Sequence, residues 1–174
     1  VERLIASGFN SPLSSGCGRF FDAVAALLGV CEKSTYEGQA AIELGELTLE
    51  PDEGRDLEPY PFRIEEDVII PAGTIAGVLA DLERGREREF IATRFHNTVL
   101  AMVREAVRRV AQRTGLSIVA LSGGTWQNRY LFARAKEELA REGFRVCWHR
   151  QVPANDGGLC LGQAVIARMR ALQE

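Results

Sequence analysis

The chain has 174 residues, 46% of them hydrophobic and 26% charged, which suits one domain or two small lobes around a core of ordinary size. Its net charge is −3 and the charges are mixed along the chain, so no basic field attracts nucleic acid. The longest apolar run, FFDAVAALLGV, is too short to cross a bilayer and contains Asp22, so no membrane span is expected.

Four cysteines, at 17, 31, 147 and 160, form no CxxC pair. In a charge-rich chain of this size they are expected to be reduced thiols in a cytoplasm. Small core positions are the plain reading of all four, and nothing in the sequence places a base beside any of them. The opening VERLIASGFNSPLSSGCG has no initiator Met and no targeting pattern, and a piece of something longer is expected.

In chain order, Gly18–Leu28 predicts a helix with Phe21, Val24, Ala25 and Leu28 on one face and Gly29 as its stop. Tyr36–Leu47, rich in Ala, Glu and Leu, predicts a second. Pro51–Pro61 reads as a linker-like insertion near 50–61, because three prolines and five charges leave it little to bury. Short strands follow at Phe62–Ile64 and Val68–Ile70, and no element is assigned between Ile70 and Glu87. Glu87–Arg113 is a long amphipathic helix, with Ala92, Phe95, Val99, Val103, Ala106 and Val110 on one stripe and Gly115 beyond its end. The pattern then changes to strand, loop and helix, twice. SIVALSGG leads into TWQNRYLFARAKEELA, and FRVCWHRQVPANDGG leads into LCLGQAVIARM. Such alternation implies parallel pairing through right-handed crossovers.

Both glycine pairs stand where a strand runs into a helix, on the edge of an α/β sheet where ligands settle. Gly123 and Gly124 follow the strand Ile118–Leu121. A tight turn needs glycine there, and so does a ligand that approaches the backbone amides at a helix N-terminus. Asp156 precedes Gly157 and Gly158. It could cap the last helix, or hold a hard cation that bridges to phosphate oxygens. Asn128, read as one turn into its helix, would point toward the same cleft. Asp22 stands in an otherwise nearly apolar helix, either facing water or serving a site. His96 and His149 read as packing or surface contacts before ligands. Trp126 and Trp148 read as core before stacking platforms.

Taken in order, SSGCGRFFDAVAALLGV, YEGQAAIELGEL, FHNTVL, ALSGGTWQNRYL and VPANDGGLCLGQA resemble the C-terminal part of the hydrogenase-maturation carbamoyltransferase family HypF, from about Ser14 to Arg168. That family's last domain is Kae1/TsaD-like, similar to the universal tRNA threonylcarbamoyl-adenosine enzyme, and belongs to the actin/sugar-kinase/Hsp70 superfamily. The implied fold is α/β: one ribonuclease-H-like lobe with a mixed sheet and flanking helices. Residues 1–174 would form a single domain, the second lobe, without the family's upstream domains.

The resemblance also implies residue roles. Asp22 would contact the ribose hydroxyls and Gly38 would line the nucleotide site. Gly123, Gly124 and Asn128 would hold the nucleotide. Asp156 would ligate a divalent metal ion shared with the missing lobe, while Gly157 and Gly158 keep side chains out of the phosphate path. The family's other ligands form an HxxxH pair, which His96 and His149 do not match. The implied enzyme uses carbamoyl phosphate and ATP to make carbamoyl adenylate. It then passes the carbamoyl group to the C-terminal cysteine of the partner maturation protein HypE, for the cyanide ligand of nickel–iron hydrogenase. The isolated chain is expected to be inactive. A sister transferase of the same fold, acting on tRNA or an antibiotic hydroxyl, is the first alternative. A non-catalytic interaction module is the second. The enzyme reading needs Asp22, the Gly123–Asn128 turn and Asp156 along one open wall.

Overall fold

The computed structural model describes residues 2–10, 14–50 and 57–173. Seven helices and four strands run in the order α1 (Glu2–Ser7), α2 (Cys17–Leu27), α3 (Gln39–Glu46), β1 (Arg63–Glu65), β2 (Val68–Ile70), α4 (Ala72–Glu83), α5 (Arg88–Thr114), β3 (Ile118–Leu121), α6 (Arg129–Arg141), β4 (Arg145–Trp148) and α7 (Leu159–Ala171) among the described residues.

The core forms where the apolar stripes of α2 and α5 meet. Phe21, Val24, Ala25 and Leu28 are buried, as their spacing requires. Phe95 takes Phe20 and Phe21 edge-on, with ring centroids 4.9 and 5.0 Å away. The stripe of α5 is buried only in its first half. Ala92, Phe95 and Val99 are inside, Val103 and Ala106 are half-buried, and Val110 is exposed. Polar residues share that buried half: Thr93, His96, Asn97 and Thr98 are all enclosed.

Helix α3 begins at Gln39 rather than Tyr36, because Gly38 is left-handed (φ +78°) and breaks the helical run. Of the linker-like insertion, residues 51–56 lie outside the described residues. Its end is not a linker. Tyr60 is 1% exposed, its backbone N–H donates to Thr98 Oγ1 at 2.8 Å, and its hydroxyl donates to Asp81 Oδ2 at 2.8 Å. Asp81 belongs to α4, which, like α1, the sequence reading leaves unassigned. Gly77 of α4 leaves room for the Tyr60 ring, which a Cβ would approach to 2.4 Å. An aromatic side chain among prolines and charges is thus an anchor, fitted against a glycine on its neighbour.

Strands β1 and β2 pair antiparallel, Glu65 opposite Val68, around Glu66 and Asp67, both with positive φ. β3 and β4 pair parallel, from Ile118 opposite Arg145 to Leu121 opposite Trp148, with α6 between them in sequence. The α/β class holds, with two two-stranded sheets among the described residues. All four cysteines are free. Cys31 is buried and Cys147 half-buried, but Cys17 and Cys160 are exposed and do not fill the core. No helix among the described residues is long and apolar enough to cross a membrane.

Candidate functional site

Beyond their last paired residues, β3 and β4 each release a glycine loop at the carboxyl edge. Ser122 and His149 follow Leu121 and Trp148, and their side chains hydrogen-bond, Oγ to Nε2, at 2.9 Å. His149 is therefore a surface contact. Next, the Gly123 N–H donates to the Ala154 carbonyl at 2.8 Å, so the two loops are joined directly. Gly123 has φ +105° and ψ 161°, a conformation that side-chain-bearing residues avoid. A Cβ on Gly124 would meet nothing within 4 Å, so packing gives no reason for that glycine.

Residues Gly124–Gln127 form a single 3-10 turn, and Asn128 is the N-cap of α6 rather than part of its first turn. The physical reason is its short amide side chain, whose Oδ1 accepts from the Leu131 N–H at 3.0 Å. Its Nδ2 lies 2.9 Å from His96 Nε2. His96 Nδ1 stands 2.7 Å from the Ala92 carbonyl, which can only accept, so Nδ1 carries the proton. Nε2 is then the acceptor and Asn128 the donor. Burial, against the Ala92 bond, pulls the His96 pKa down to about 4 and keeps the ring neutral.

In the second loop Asn155, not Asp156, supplies the cap: its Oδ1 accepts from the Gly157 N–H at 3.1 Å. Gly158 is required by the turn itself, since a Cβ there would come within 2.6 Å of the Pro153 carbonyl oxygen. Asp156 is exposed; its backbone carbonyl accepts from the Leu159 N–H, while its carboxylate makes no hydrogen bond or ion pair with a described residue. Its carboxylate, released from capping, can ligate a hard cation as one donor among several. Among the described residues no three His, Cys, Asp or Glu side chains group to hold a metal.

Asp22 lies on α2, 28% exposed, in an ion pair with Arg19 at 2.7 Å. Burial raises the pKa of the Cys17 thiol at the start of that helix, against a lowering influence from the Thr125 side chain of the first glycine loop. From α3, Gly45 faces the same loop, and a Cβ on it would stand 2.8 Å from Asn128 Nδ2. Gly38 lies at the far end of α3, needed for its backbone conformation and open above. The fold therefore gathers α2, α3 and α5 around the Gly123–Asn128 turn and bonds that turn to the second loop. No hydrogen bond or ion pair joins Asp22, Gly38 or Asp156 to that turn or to one another among the described residues.

Sequence reasoning missed Gly45 and the bond from Asn128 to His96. A glycine inside a helix costs about 1 kcal/mol relative to alanine, and that oddity was the available signal. Trp126 and Trp148 pack against the core. Trp148 also carries Phe132 edge-on and the Arg150 guanidinium 4.7 Å from its ring centroid.

Comparison with known proteins agrees on the family. Residues 1–163 match the family described as carbamoyltransferase, Kae1-like domain, second subdomain. Carbamoyltransferase HypF of Synechocystis sp. is 36% identical over 94% of this chain, and that of Rhodobacter capsulatus 37% over 96%. The chain spans 20% and 21% of the length of those two relatives. Full-length HypF, crystallised in a phosphate- and nucleotide-bound form, superposes with a TM-score of 0.87 at 43% identity. The likeness covers 95% of this chain and 26% of that one. Together these matches show that this chain is a member of the HypF carbamoyltransferase family, matching the second subdomain of its Kae1-like domain.

Proposed function

We propose that this chain is the nucleotide-receiving lobe of an ATP-dependent carbamoyltransferase. In this reading the whole enzyme uses carbamoyl phosphate and ATP to form carbamoyl adenylate. The carbamoyl group then passes to the C-terminal cysteine of a HypE-type maturation protein, for the cyanide ligand of nickel–iron hydrogenase. The transfer is an acyl substitution. The acceptor thiolate attacks the carbamoyl carbon, the bond from that carbon to the phosphate oxygen breaks, and AMP leaves with the electron pair. The setting is the cytoplasm, where four free thiols stay reduced.

The observation that carries the reading is the 2.8 Å bond from the Gly123 N–H to the Ala154 carbonyl. It unites two glycine loops at the carboxyl ends of adjacent parallel strands, the position where α/β folds take ligands. Gly123 and Gly124 leave the backbone open, and the N-terminus of α6 adds partial positive charge beside them. Asn128 offers its remaining amide proton and lone pair, Asp22 accepts from the ribose hydroxyls, and Gly38 lines the wall near α3. Asp156 would be this lobe's ligand to a divalent cation, which would neutralise phosphate charge when bound. Fixed dipoles and positioning then supply the rate.

Titration of ATP with Mg²⁺ into the chain and into Asp22→Ala tests the proposal. Saturable binding that becomes about tenfold weaker in the variant is expected. Equal binding by both, or none by the unaltered chain, counts against it.

A further inference from the structure

We infer that His96 is the positioning residue of the nucleotide loop: through Nε2 it takes one amide proton of Asn128 and so holds the Gly123–Asn128 turn in its receiving form. The inference rests on the nucleotide reading above and extends it to residues that touch no nucleotide.

Three elements converge on one amide group. His96 is fully buried on α5, among the rings of Phe21, Phe95 and Tyr130 at centroid distances of 5.3, 5.7 and 5.8 Å. Its Nδ1–H is spent on the Ala92 carbonyl at 2.7 Å, which fixes both the tautomer and the ring plane. That leaves Nε2 as an acceptor with one partner, the Asn128 Nδ2–H at 2.9 Å. The other end of the same side chain caps α6 through Leu131 at 3.0 Å. Asn128 is thus held at both ends, oxygen to its own helix and nitrogen to the core. The residues before it, from Gly123 onward, hang between that clamp and the Ala154 bond.

Gly45 completes the clamp from α3. Its missing Cβ leaves space for Asn128 Nδ2, since a methyl there would stand only 2.8 Å from it and 4.0 Å from His96 Nε2. Nothing in helix formation asks for glycine at this position, where alanine would favour the helix by about 1 kcal/mol. The space it preserves is the space the amide occupies. A capped helix needs only the Asn128 oxygen. The histidine and the glycine act on its nitrogen, and their effect falls on where the loop stands.

The test compares His96→Leu, His96→Gln and Gly45→Ala in this chain, by amide NMR and by Mg²⁺–ATP titration. Leucine cannot accept a hydrogen bond, whereas the glutamine carbonyl can. Gly45→Ala leaves His96 in place and keeps the helix, so it reads the clamp even if His96→Leu fails to fold. Expected are displaced Gly123 and Gly124 amide resonances and about tenfold weaker ATP binding in His96→Leu and Gly45→Ala. His96→Gln should recover most of the affinity. Folded His96→Leu and Gly45→Ala proteins with unmoved loop resonances would overturn the inference, and so would equal losses in the leucine and glutamine variants. If the unaltered chain binds no ATP, the nucleotide reading fails separately, and the loop resonances alone decide whether His96 positions the turn.

Discussion

Ser122 and His149, one residue past the paired ends of β3 and β4, share a 2.9 Å hydrogen bond and mark the carboxyl edge from which both glycine loops leave. The bond from Gly123 to Ala154 continues the same seam. The two loops are thus joined at their base, and single substitutions there should separate structural glycines from those kept open for a ligand.

Gly123→Ala places a side chain at φ +105° and should destabilise the fold by about 2 kcal/mol. Gly124→Ala meets open space, so its melting temperature should stay close to that of the unaltered protein. ATP titration should nevertheless show weaker binding in Gly124→Ala, because its methyl occupies the approach to the backbone. Unchanged affinity in Gly124→Ala would remove that residue from the site.

Asp156→Asn should leave stability unchanged, since the carboxylate has no partner among the described residues, yet abolish any gain in ATP affinity from Mg²⁺. Affinity measured with and without the cation in both proteins decides this. The isolated chain itself should transfer no carbamoyl group from carbamoyl phosphate and ATP to an acceptor thiol. Turnover by it alone would show that one lobe suffices.

Tyr60→Phe removes a buried hydroxyl and should lower stability by roughly 1–2 kcal/mol in denaturant unfolding. Burial acts to raise the Asp81 pKa, but hydrogen bonds from Tyr60 and Arg94 outweigh it and hold the carboxyl below its usual range. That stabilisation is present above the ordinary carboxylate pKa and is lost as pH falls through the lowered one. In Tyr60→Phe the loss should be smaller and complete at higher pH, and an unchanged acid loss would argue against this bond.

His96 titrates in the opposite setting. Its pKa falls from 6.5 in the unfolded chain to about 4 in the fold, so below pH 6.5 the unfolded state binds the proton first. Stability should therefore fall between pH 6.5 and 4, and the contribution lost by pH 5 is about 2 kcal/mol. His96→Gln should lack this part of the acid sensitivity. Parallel unfolding curves at pH 7 and pH 5 compare the two, and equal losses in both proteins would contradict it.

Local signals recovered α2, α5, β1, β2 and β3 to within a residue or two, because each carries its own residue pattern and its own stop. Helix α4 was not legible: it follows a strand directly, and its cap is Pro71 without a side-chain bond. The buried role of Tyr60 was hidden by its neighbours, since prolines and charges say nothing of a partner 21 positions away on α4. The opposite error befell the lower half of α5, where Val110 fits the stripe but is exposed.

The sequence by itself determined the alternation of strands and helices, the two glycine loops and the family, since these depend on residue order and on side-chain types at fixed spacing. Only the tertiary structure decided which nitrogen of His96 is free, that Asn155 rather than Asp156 caps its turn, and that Gly45 makes room for Asn128. Those depend on distances between segments remote in the chain, and hydrogen bonding, which fades beyond about 3.5 Å, is assigned by where the folded backbone puts each atom.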